Sequence, residues 1–363
     1  MNRVLVIFGT RPEAIKMCPV VKEMRSRGIG CKVCLTGQHT DMLYEVMGAF
    51  GVACDYKLSV MKHGASLAEL NSALLTAVDG VIAAECPDLV LVHGDTASAY
   101  AASLAAFYRK IPVGHVEAGL RSGDLLSPFP EELYRRAISI ISSIDFAPTP
   151  NAIKNLIREG KRPEHIYLTG NTVIDAVCQT VRSDFSHEVL DFAQGARLVL
   201  LTAHRRENIG DPMRSAFSAI RRVAEERKDV RIVYPLHKNG EVRKIAEEEL
   251  SGCKRIMLSE PIGVVDFHNV MKRAYLVLTD SGGIQEEAPA LGVPVLVLRN
   301  TTERQEGVIS GGIKLIGTVE ESVYREFTRL LDDPFEYERM ARAKNPFGEG
   351  GASRLIADII SSL

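Results

Sequence analysis

The sequence predicts an α/β protein with two parallel-sheet domains. Short apolar runs alternate with helix-type segments along the chain, which is the pattern of βαβ units around parallel sheets. The same order of elements restarts in the second half, although no short sequence repeat accompanies it. At 363 residues the chain also exceeds the usual size of one hydrophobic core, so two domains are expected.

Composition and charge narrow the class of protein. A hydrophobic content of 46% and a charged content of 25% are typical of a globular protein, and a net charge of −2 gives no footprint for nucleic-acid binding. The N-terminal apolar run is too short for a signal peptide, and no apolar stretch approaches the ~18 residues of a membrane span. We therefore expect a cytoplasmic protein with no nucleic-acid or membrane partner.

The cysteines predict packing, not metal or redox chemistry. There are seven, an odd and scattered set that fits a reducing compartment. Cys31 and Cys34 match a CxxC spacing, but they lie in a strand-like run where positions i and i+3 face opposite sides. With no second pair of ligands and no dinucleotide-binding fingerprint, we expect neither a metal nor a cofactor.

Residues 275–291 combine a short apolar strand, the turn Ser281-Gly282-Gly283 and a helix. The first N–H groups of a helix lack internal partners, and adjacent glycines let a diphosphate approach the backbone. Glu286 and Glu287 follow one turn later, where they are placed to accept hydrogen bonds from sugar hydroxyls. A tight turn with a capping serine is the alternative interpretation.

The first strand, residues 4–8, leads into a helix that Thr10 is expected to cap. Arg11 and Lys16 then lie near the positive end of that helix, where cations oppose the dipole unless an anion is bound. This favours a phosphate-facing role, with solvated surface charges as the alternative.

Three carboxylates follow predicted strands or begin a helix at one edge of the first sheet: Asp95, Glu117 and Glu131. Ligands of open α/β sheets bind outside the carboxyl ends of the strands, so the three are acid/base candidates. Asp95 as a helix cap and Glu131 as a partner of the helix dipole are the alternatives.

The second half places further polar residues at strand ends. His204 and Arg205 follow the strand at 197–201, and His237 follows the strand at 230–235. A histidine followed by arginines at such a position favours an anion or leaving-group site over a purely structural role.

Two more residues complete the second half. Arg304 follows another strand, and Phe267 is equally consistent with stacking on a base and with core packing. The polar segment 182–196 places the interdomain crossing near 170–196. Facing strand ends in two domains imply a cleft, with a nucleotide diphosphate on the second domain and a sugar undergoing proton transfer on the first.

At this point the chain resembles the non-hydrolysing UDP-N-acetylglucosamine 2-epimerases. The matching motifs, in chain order, are GTRPEAIK (9–16), TGQH (36–39), HGD (93–95), HVEAGLR (115–121), PEE (130–132), GNTVID (170–175), HRREN (204–208), TDSGGIQEEAP (279–289), TTER (301–304) and NPFG (345–348). Their number and order make the resemblance specific over nearly the whole chain.

The resemblance implies a GT-B architecture of two Rossmann-like domains with the active site in the interdomain cleft. It divides the chain into an N-terminal domain (1–170), a C-terminal UDP-binding domain (171–345) and a last helix (346–363) that crosses back to the first domain. The family interconverts UDP-GlcNAc and UDP-ManNAc without a cofactor: UDP leaves by anti elimination and adds back after the C2 proton returns to the other face. A homodimer and a role in surface-polysaccharide synthesis are also implied.

Site residues are carried over by motif. The residues implied in acid/base or leaving-group chemistry are Asp95, Glu117, Glu131 and His204. The residues implied in substrate binding are Arg11, Lys16, Arg135, Arg205, His237, Phe267, Ser281, Gly282, Gly283, Glu287 and Arg304, with Glu287 at the ribose and Phe267 near the uracil. Gln38 and His39 match a second, allosteric UDP-GlcNAc site of bacterial relatives.

The chain departs from the family pattern at three positions. Tyr134 stands where the family usually has asparagine, and Asp41 and Gly64 replace a glutamine and an arginine of the allosteric site. The alternative functions are a GT-B glycosyltransferase, a hydrolysing epimerase, a 2-epimerase for a UDP-diacetamido-uronic acid, and a non-enzymatic nucleotide-sugar sensor.

Overall fold

The computed structural model describes residues 3–37, 40–60 and 64–363, without the side chains of residues 40–42. It divides into two compact units. Unit 1 comprises Met1–Ala176 together with Phe347–Leu363, and unit 2 comprises Val177–Pro346. The domain boundaries expected from the sequence, at 170/171 and 345/346, stay predictions.

Unit 1 is built on a parallel sheet of seven strands, in the order β3-β2-β1-β4-β5-β6-β7. The strands are β1 (Arg3–Phe8), β2 (Gly30–Leu35), β3 (Tyr56–Lys57), β4 (Leu89–His93), β5 (Val113–Val116), β6 (Ile144–Ala147) and β7 (Ile166–Leu168). The helices are α1 (Arg11–Ser26), α2 (Thr40–Phe50), α3 (Leu67–Glu85), α4 (Ala97–Tyr108), α5 (Glu131–Ile141) and α6 (Pro150–Arg158), followed by α7 (Thr172–Thr180), which contains the boundary between the units.

Unit 2 is built on a parallel sheet of six strands, in the order β10-β9-β8-β11-β12-β13. The strands are β8 (Arg197–Thr202), β9 (Val230–Pro235), β10 (Ile256–Ser259), β11 (Leu276–Thr279), β12 (Val295–Val297) and β13 (Ile313–Leu315). The helices are α8 (Glu188–Phe192), α9 (Asp211–Glu226), α10 (Gly240–Leu250), α11 (Val264–Lys272), α12 (Ile284–Ala290), α13 (Gln305–Ser310), α14 (Glu320–Asp332) and α15 (Pro334–Ala341); α16 (Ala352–Ser362) belongs to unit 1.

The strands are continuous apolar runs because helices cover both faces of each sheet. In β8, Val199 and Leu201 belong to one buried cluster, whereas Leu198 and Leu200 belong to another. All four side chains are at most 4% exposed. A strand buried on both sides has no polar face, which explains why the sequence shows runs and not alternation. The prediction of two parallel sheets is confirmed.

Each sheet has one position where the strand order reverses direction. In unit 1 it lies between β1 and β4, and in unit 2 between β8 and β11. The crevice outside the carboxyl ends of such strands is the usual ligand site of an open α/β sheet. We therefore expect the candidate residues from the sequence to lie at these strand ends.

Helix starts near these strand ends follow the expected chemistry. Thr10 caps α1: its hydroxyl accepts from the Glu13 backbone N–H, while the Glu13 carboxylate accepts from the Thr10 backbone N–H at 2.8 Å. Thr96 caps α4 in the same way, accepting from the Ala99 N–H at 3.0 Å. The prediction that Thr10 caps the first helix is confirmed, whereas the alternative of Asp95 as a cap is wrong.

Helix α3 modifies one expectation from the sequence. By length and composition alone it is able to cross a membrane, so the statement that no apolar stretch approaches that length is wrong for this helix. The criterion is weak, because core helices of globular proteins also meet it. Leu74, Val78 and Ile82 form a fully buried stripe on α3, and Val78 and Ile82 share a cluster with the first sheet.

The end of the chain completes unit 1. Helix α16 packs on α1 and buries Ile356 and Ile360 completely. The carboxylate of Asp175, in α7, accepts hydrogen bonds of 3.2 Å from the backbone N–H groups of Gly351, Ala352 and Ser353. It satisfies N–H groups that have no partner inside α16.

Candidate active site

The ends of β4 and β5 bring two of the predicted carboxylates to one place. The strands pair in parallel, and the Gly94 N–H, just beyond β4, donates to the Val116 carbonyl at 2.9 Å. A Cβ atom built on Gly94 would lie 3.8 Å from Glu117 Oε1. Glu117 therefore lies beside the residue that precedes Asp95, at the carboxyl edge that the sequence predicted.

Glu117 has an unusual backbone and a restrained carboxylate. Its φ of 64° lies in the left-handed region, which bulky L-residues rarely adopt. Its Oε2 accepts a hydrogen bond from Asn171 Nδ2 at 2.7 Å and forms an ion pair with Lys16 Nζ. His93 Nε2 is 3.6 Å from the same oxygen. The side chains of Lys16 and Glu117 are only 7% and 9% exposed, so this ion pair is shielded from water.

The Lys16 ion pair changes the electrostatic argument made from the sequence. The sequence predicts that Lys16 lacks a counter-ion unless a phosphate is bound, but Glu117 supplies one from within unit 1. The inference of phosphate binding from an uncompensated cation therefore fails for Lys16. Arg11, the first residue of α1, is half-buried.

Asp95 belongs to a second network, at the start of α5. Arg135 donates to Asp95 Oδ2 at 2.6 Å and to Glu132 Oε2 at 3.2 Å. Glu132 is fully buried and also accepts from the Ser122 N–H at 3.0 Å, which ties the loop after β5 to the helix. Burial raises the pKa of Glu132, but the Ser122 N–H and Arg135 outweigh this effect, so its pKa is lowered overall.

Glu131 and His93 are among the residues of unit 1 that have buried side-chain polar atoms without a hydrogen-bond partner in the described part of the chain. Glu131 begins α5, and its Oε2 has no hydrogen-bond partner among residues 3–37, 40–60 and 64–363. The same holds for both ring nitrogens of His93, whose side chain is 5% exposed. Because such atoms are destabilising unless a ligand or water meets them, His93 joins the candidate site. The sequence indicates His93 only through its position at the end of strand β4.

In unit 2, buried Asp280 organises the loop after β8. Its carboxylate accepts from the backbone N–H groups of His204 and Arg205, at 3.0 and 2.9 Å, and from Asn208 Nδ2 at 3.2 Å. Asp280 directly follows β11, the neighbour of β8, so strand pairing brings it to this loop. Its position directly after a strand could have identified Asp280 as a site residue, but the sequence analysis did not select it.

The two predicted histidines of unit 2 lie together. The rings of His204 and His237 stack with centroids 4.8 Å apart and an interplanar angle of 11°. Burial lowers the pKa of His204 against the opposing charge of Asp280, and Arg205 lowers it further. Burial and His204 also lower the pKa of His237. Both rings are therefore neutral at pH 7, and each can donate one hydrogen bond and accept another.

Gly282 lies against a cluster of arginines and glutamates. A Cβ atom at Gly282 would lie 2.9 Å from the Arg304 guanidinium and 3.2 Å from Glu303 Oε1. Arg304 Nε donates to Glu286 Oε1 at 2.9 Å. Burial raises the pKa of Glu303, but Arg304 and Arg299 outweigh it and hold that pKa at about 2. Arg304 is thus fixed beside the turn after β11, as its predicted strand-end position indicated.

The glutamates predicted beside this turn differ in their surroundings. Glu286 is fully buried and accepts from Arg304, so the expectation that it accepts from sugar hydroxyls is wrong. Glu287 lies near the turn, with Oε1 3.2 Å from a Cβ built on Gly283 and Oε2 3.5 Å from His268 Nε2. The helix begins after Gly283 without a side-chain cap, so the alternative of a capping serine at position 281 is also wrong.

Three further expectations have structural outcomes, and a fourth has none. Phe267 is half-buried and packs on one core cluster of unit 2. Tyr134 is 5% exposed, stacks on Tyr100 and accepts from Asn71 Nδ2 at 2.8 Å, so this departure from the family pattern fills part of the core. Gln38 and His39 lie outside the described residues. Burial raises the pKa of the Cys31 and Cys34 thiols to about 12, as a packing role requires.

The fold and the strand-end clusters define the class of proteins with two Rossmann-like α/β units. Residues 22–361 match the family profile described as UDP-N-acetylglucosamine 2-epimerase. The Bacillus subtilis UDP-N-acetylglucosamine 2-epimerase is 51% identical over 98% of this chain and 94% of its own length. The chain therefore belongs to the UDP-N-acetylglucosamine 2-epimerase family.

Solved structures agree with this assignment and with the GT-B-like fold class. The S. aureus MnaA–UDP complex is 48% identical, with a TM-score of 0.94 over 100% of this chain and 96% of that one. The Neisseria meningitidis UDP-GlcNAc 2-epimerase bound to UDP-GlcNAc is 43% identical, with a TM-score of 0.93 over 99% of this chain and 100% of that one. The expectation of a shared interdomain cleft stays a prediction.

Proposed function

We propose that this chain catalyses the reversible C2 epimerisation of UDP-GlcNAc to UDP-ManNAc. A base removes the proton from C2, the C1–O bond breaks with its electrons passing to UDP, and a C1=C2 double bond forms. UDP then adds back to C1 while a proton returns to the opposite face of C2. Protons and UDP are removed and restored in equal number, so the reaction needs no oxidant or reductant.

The arrangement around Glu117 carries the proposal. Proton transfer at a weakly acidic carbon requires a carboxylate held in a fixed direction. The Lys16 ion pair and the hydrogen bond from Asn171 provide that restraint in a shielded position. Asp95 and Glu131 lie at the same edge of the sheet, in different surroundings, so the three carboxylates are the candidates for the two proton transfers.

Unit 2 supplies groups suited to the UDP that departs and returns. Charge develops on the diphosphate as the C1–O bond breaks, and positioned arginines and neutral histidines stabilise it. Arg304 and Arg205 both pair with Glu303 Oε1, and His204 stacks on His237. The missing Cβ of Gly282 keeps the backbone beside Arg304 open to a phosphate. We assign the ribose to Glu287 and the uracil region to Phe267.

Membership of the family favours epimerisation over a glycosyltransferase or a sensor. A 2-epimerase for a UDP-diacetamido-uronic acid stays the alternative. Supply of a surface polysaccharide, a cytoplasmic location and a homodimer are further proposals that rest on the resemblance.

The test is incubation of the purified chain with UDP-GlcNAc in D2O, followed by NMR. Epimerisation predicts UDP-ManNAc and deuterium at C2 in both nucleotide sugars. Free ManNAc would instead indicate the hydrolysing reaction. If UDP-GlcNAc is unchanged, the same assay is run with a UDP-diacetamido-uronic acid. Epimerisation of that sugar would indicate the alternative epimerase, and no turnover would favour a glycosyltransferase.

Glu117→Gln should slow deuterium exchange by about 10²–10⁴-fold, because general acid–base catalysis contributes effects of that size. UDP binding, measured by calorimetry, should stay within about threefold, because Glu117 is not itself one of the predicted UDP groups, most of which lie in unit 2. Glu159→Gln, which removes a carboxylate paired with Arg121 at 2.7 Å, is the control and should retain full exchange. Full exchange in Glu117→Gln would remove this residue from the mechanism.

A further inference from the structure

Asn171 is a buried residue that joins three parts of unit 1. It is 3% exposed and lies between β7 and α7. Its Nδ2 donates to Glu117 Oε2 at 2.7 Å, and its backbone N–H donates to the Phe347 carbonyl at 2.8 Å. Its Oδ1 accepts from the Val173 N–H at 3.1 Å, at the start of α7.

These contacts fix the direction of the Asn171 amide. The Val173 N–H can only donate and the Glu117 carboxylate accepts, so Oδ1 must face Val173 and Nδ2 must face Glu117. A flipped amide would set two donors against each other at one end and two acceptors at the other. The side chain therefore has one arrangement that satisfies both of these neighbours.

The backbone before Asn171 is fixed as well. Gly170 has φ of 82°, and a Cβ atom there would lie 3.2 Å from the Phe347 carbonyl oxygen. Gly170 thus lies directly against Phe347, the first residue of the segment 347–363 with which the chain returns to unit 1. Asn171 cannot shift without disturbing either that segment or the start of α7.

Glu117 needs such a fixed neighbour. With φ of 64°, its backbone is in a conformation that persists only where surrounding contacts hold it. Lys16 provides charge, but an ammonium on a flexible stem sets direction poorly. The planar amide of Asn171 has a defined donor direction, and it meets the same oxygen, Oε2.

We propose that Asn171 is a positioning residue that directs the Glu117 carboxylate and ties it to the returning segment at Phe347. This inference rests on the proposed epimerase function, because it gives Asn171 its effect through the proton transfers assigned to that site.

The decisive variant is Asn171→Asp. It keeps the shape of the side chain and an acceptor for the Val173 N–H, but it replaces the donor facing Glu117 by a second carboxylate. We expect kcat for UDP-GlcNAc to fall about 10–100-fold with KM within about threefold. A like charge beside a carboxylate disfavours ionisation, so the limb of the pH–kcat profile governed by Glu117 should move up by about one unit.

Asn171→Ala removes the donor without adding charge. In this variant, the limb of the pH–kcat profile that Glu117 governs should also move to higher pH, but by less than in Asn171→Asp. Its kcat should again fall. In a Glu117→Asp background, where the carboxylate is displaced from the donor, adding Asn171→Ala should lower kcat little further. That lack of additivity would indicate that the two residues act as one unit.

Asp175→Ala is the matched structural control. Asp175 joins the same α7 to the returning segment through three backbone N–H groups. Its removal should lower the melting temperature, while kcat of the folded enzyme and the pH limb stay unchanged.

The proposal is wrong if the Asn171 variants lose stability as Asp175→Ala does but keep the kcat and pH profile of the unmodified chain. It is also wrong if the Asn171 and Glu117 effects multiply in the double variant. An unmodified chain with no turnover of UDP-GlcNAc would instead contradict the proposed function, so the two failures are distinguishable.

Discussion

Glu117 leaves β5 in a backbone conformation that side chains other than glycine rarely adopt. Its φ of 64° is held by the contacts of its own carboxylate and by the packing of neighbouring strand ends. Strain of this kind gathers at functional sites, where a fixed direction outweighs the loss of stability. The restraint comes from Lys16 in α1 and from Asn171, directly before α7. Two distant parts of the chain therefore hold the position of one atom, Glu117 Oε2.

His115, two residues before Glu117, should make folding stability depend on pH. It is completely buried, and its Nε2 donates to the Gly94 carbonyl at 2.8 Å. Burial lowers its pKa from 6.5 to about 4, although Asp145 opposes the shift. The unfolded chain takes up a proton near pH 6.5 and the folded chain only near pH 4. The free energy of unfolding should therefore fall as the pH decreases through this window.

Between pH 7 and pH 5 this histidine alone accounts for a loss of about 2 kcal/mol. Denaturant unfolding at both pH values measures it. His115→Gln should lose less stability over this interval than the unmodified chain, by that amount. His165→Gln, which changes an exposed histidine, should keep the original pH dependence. An unaltered pH dependence in His115→Gln would show that His115 titrates normally.

Strand-end position selected Asp95 and Glu117 as candidates, because parallel strands deliver their carboxyl ends to one edge, and Glu131 was selected at the start of a helix. It did not predict the partner of Lys16, since Glu117 is 101 residues away and their contact depends on the packing of α1 on the sheet. Asn171 was missed for the same reason. A polar residue before a helix is usually interpreted as a helix cap, and the sequence does not show which group its side chain donates to.

At the scale of elements, the turn between β11 and α12 shows how small residues admit a charged neighbour. Gly282 is buried and occupies the space beside the Arg304 guanidinium. Arg304 is held in turn by Glu286 and Glu303. The turn therefore brings backbone and guanidinium together without a side chain between them.

Gly282→Ala should weaken UDP binding by at least about tenfold. Its new methyl group would lie 2.9 Å from Arg304, so that either the guanidinium or the turn must move. Gly240→Ala, at the start of α10 in the same unit, has no atom within 4 Å of the new Cβ and serves as the control. Calorimetric titration with UDP compares the two. Equal affinities would contradict the placement of UDP beside this turn.

The long apolar strands and their helices were predictable because burial on both faces leaves a clear apolar run. Helix α8 was not, since the segment at 182–196 is polar apart from a few residues such as Val189, which is fully buried. Strand β10 was missed because only Ile256 of its residues is buried. Short or half-exposed elements draw their stability from tertiary contacts that periodicity does not reveal.

At the scale of the whole molecule, unit 1 is assembled from two separate parts of the chain. The first part is Met1–Ala176 and the second is Phe347–Leu363. Helix α16 supplies the buried side chains of Ile356 and Ile360, and Asp175 holds its first turn.

Ile356→Ala should lower the free energy of unfolding by about 2–5 kcal/mol, as expected when a large side chain is removed from a packed core. Ile356 is 0% exposed, whereas the adjacent Leu355 is 42% exposed. Leu355→Ala should therefore lower it by less than about 1 kcal/mol. Denaturant unfolding of both variants tests this difference. Equal losses would contradict the burial of α16 against unit 1.

Two domains were predictable from length and from the restart of the strand–helix pattern. The boundary between the units was harder to predict, because it falls inside α7, a continuous helix with no change in composition at Ala176. A helix that continues across a boundary gives no turn signal, so sequence indicates only a region for it.

The split composition of unit 1 sets the order in which a growing polypeptide can finish its parts. Residues 1–176 are synthesised before unit 2, whereas Phe347–Leu363 is synthesised after it. Unit 2 is continuous, so all of it is synthesised before the second part of unit 1. Until Phe347–Leu363 has been made, the first part of unit 1 therefore exposes the surface of α1 that α16 later covers. Such a surface is the kind that chaperones recognise during synthesis.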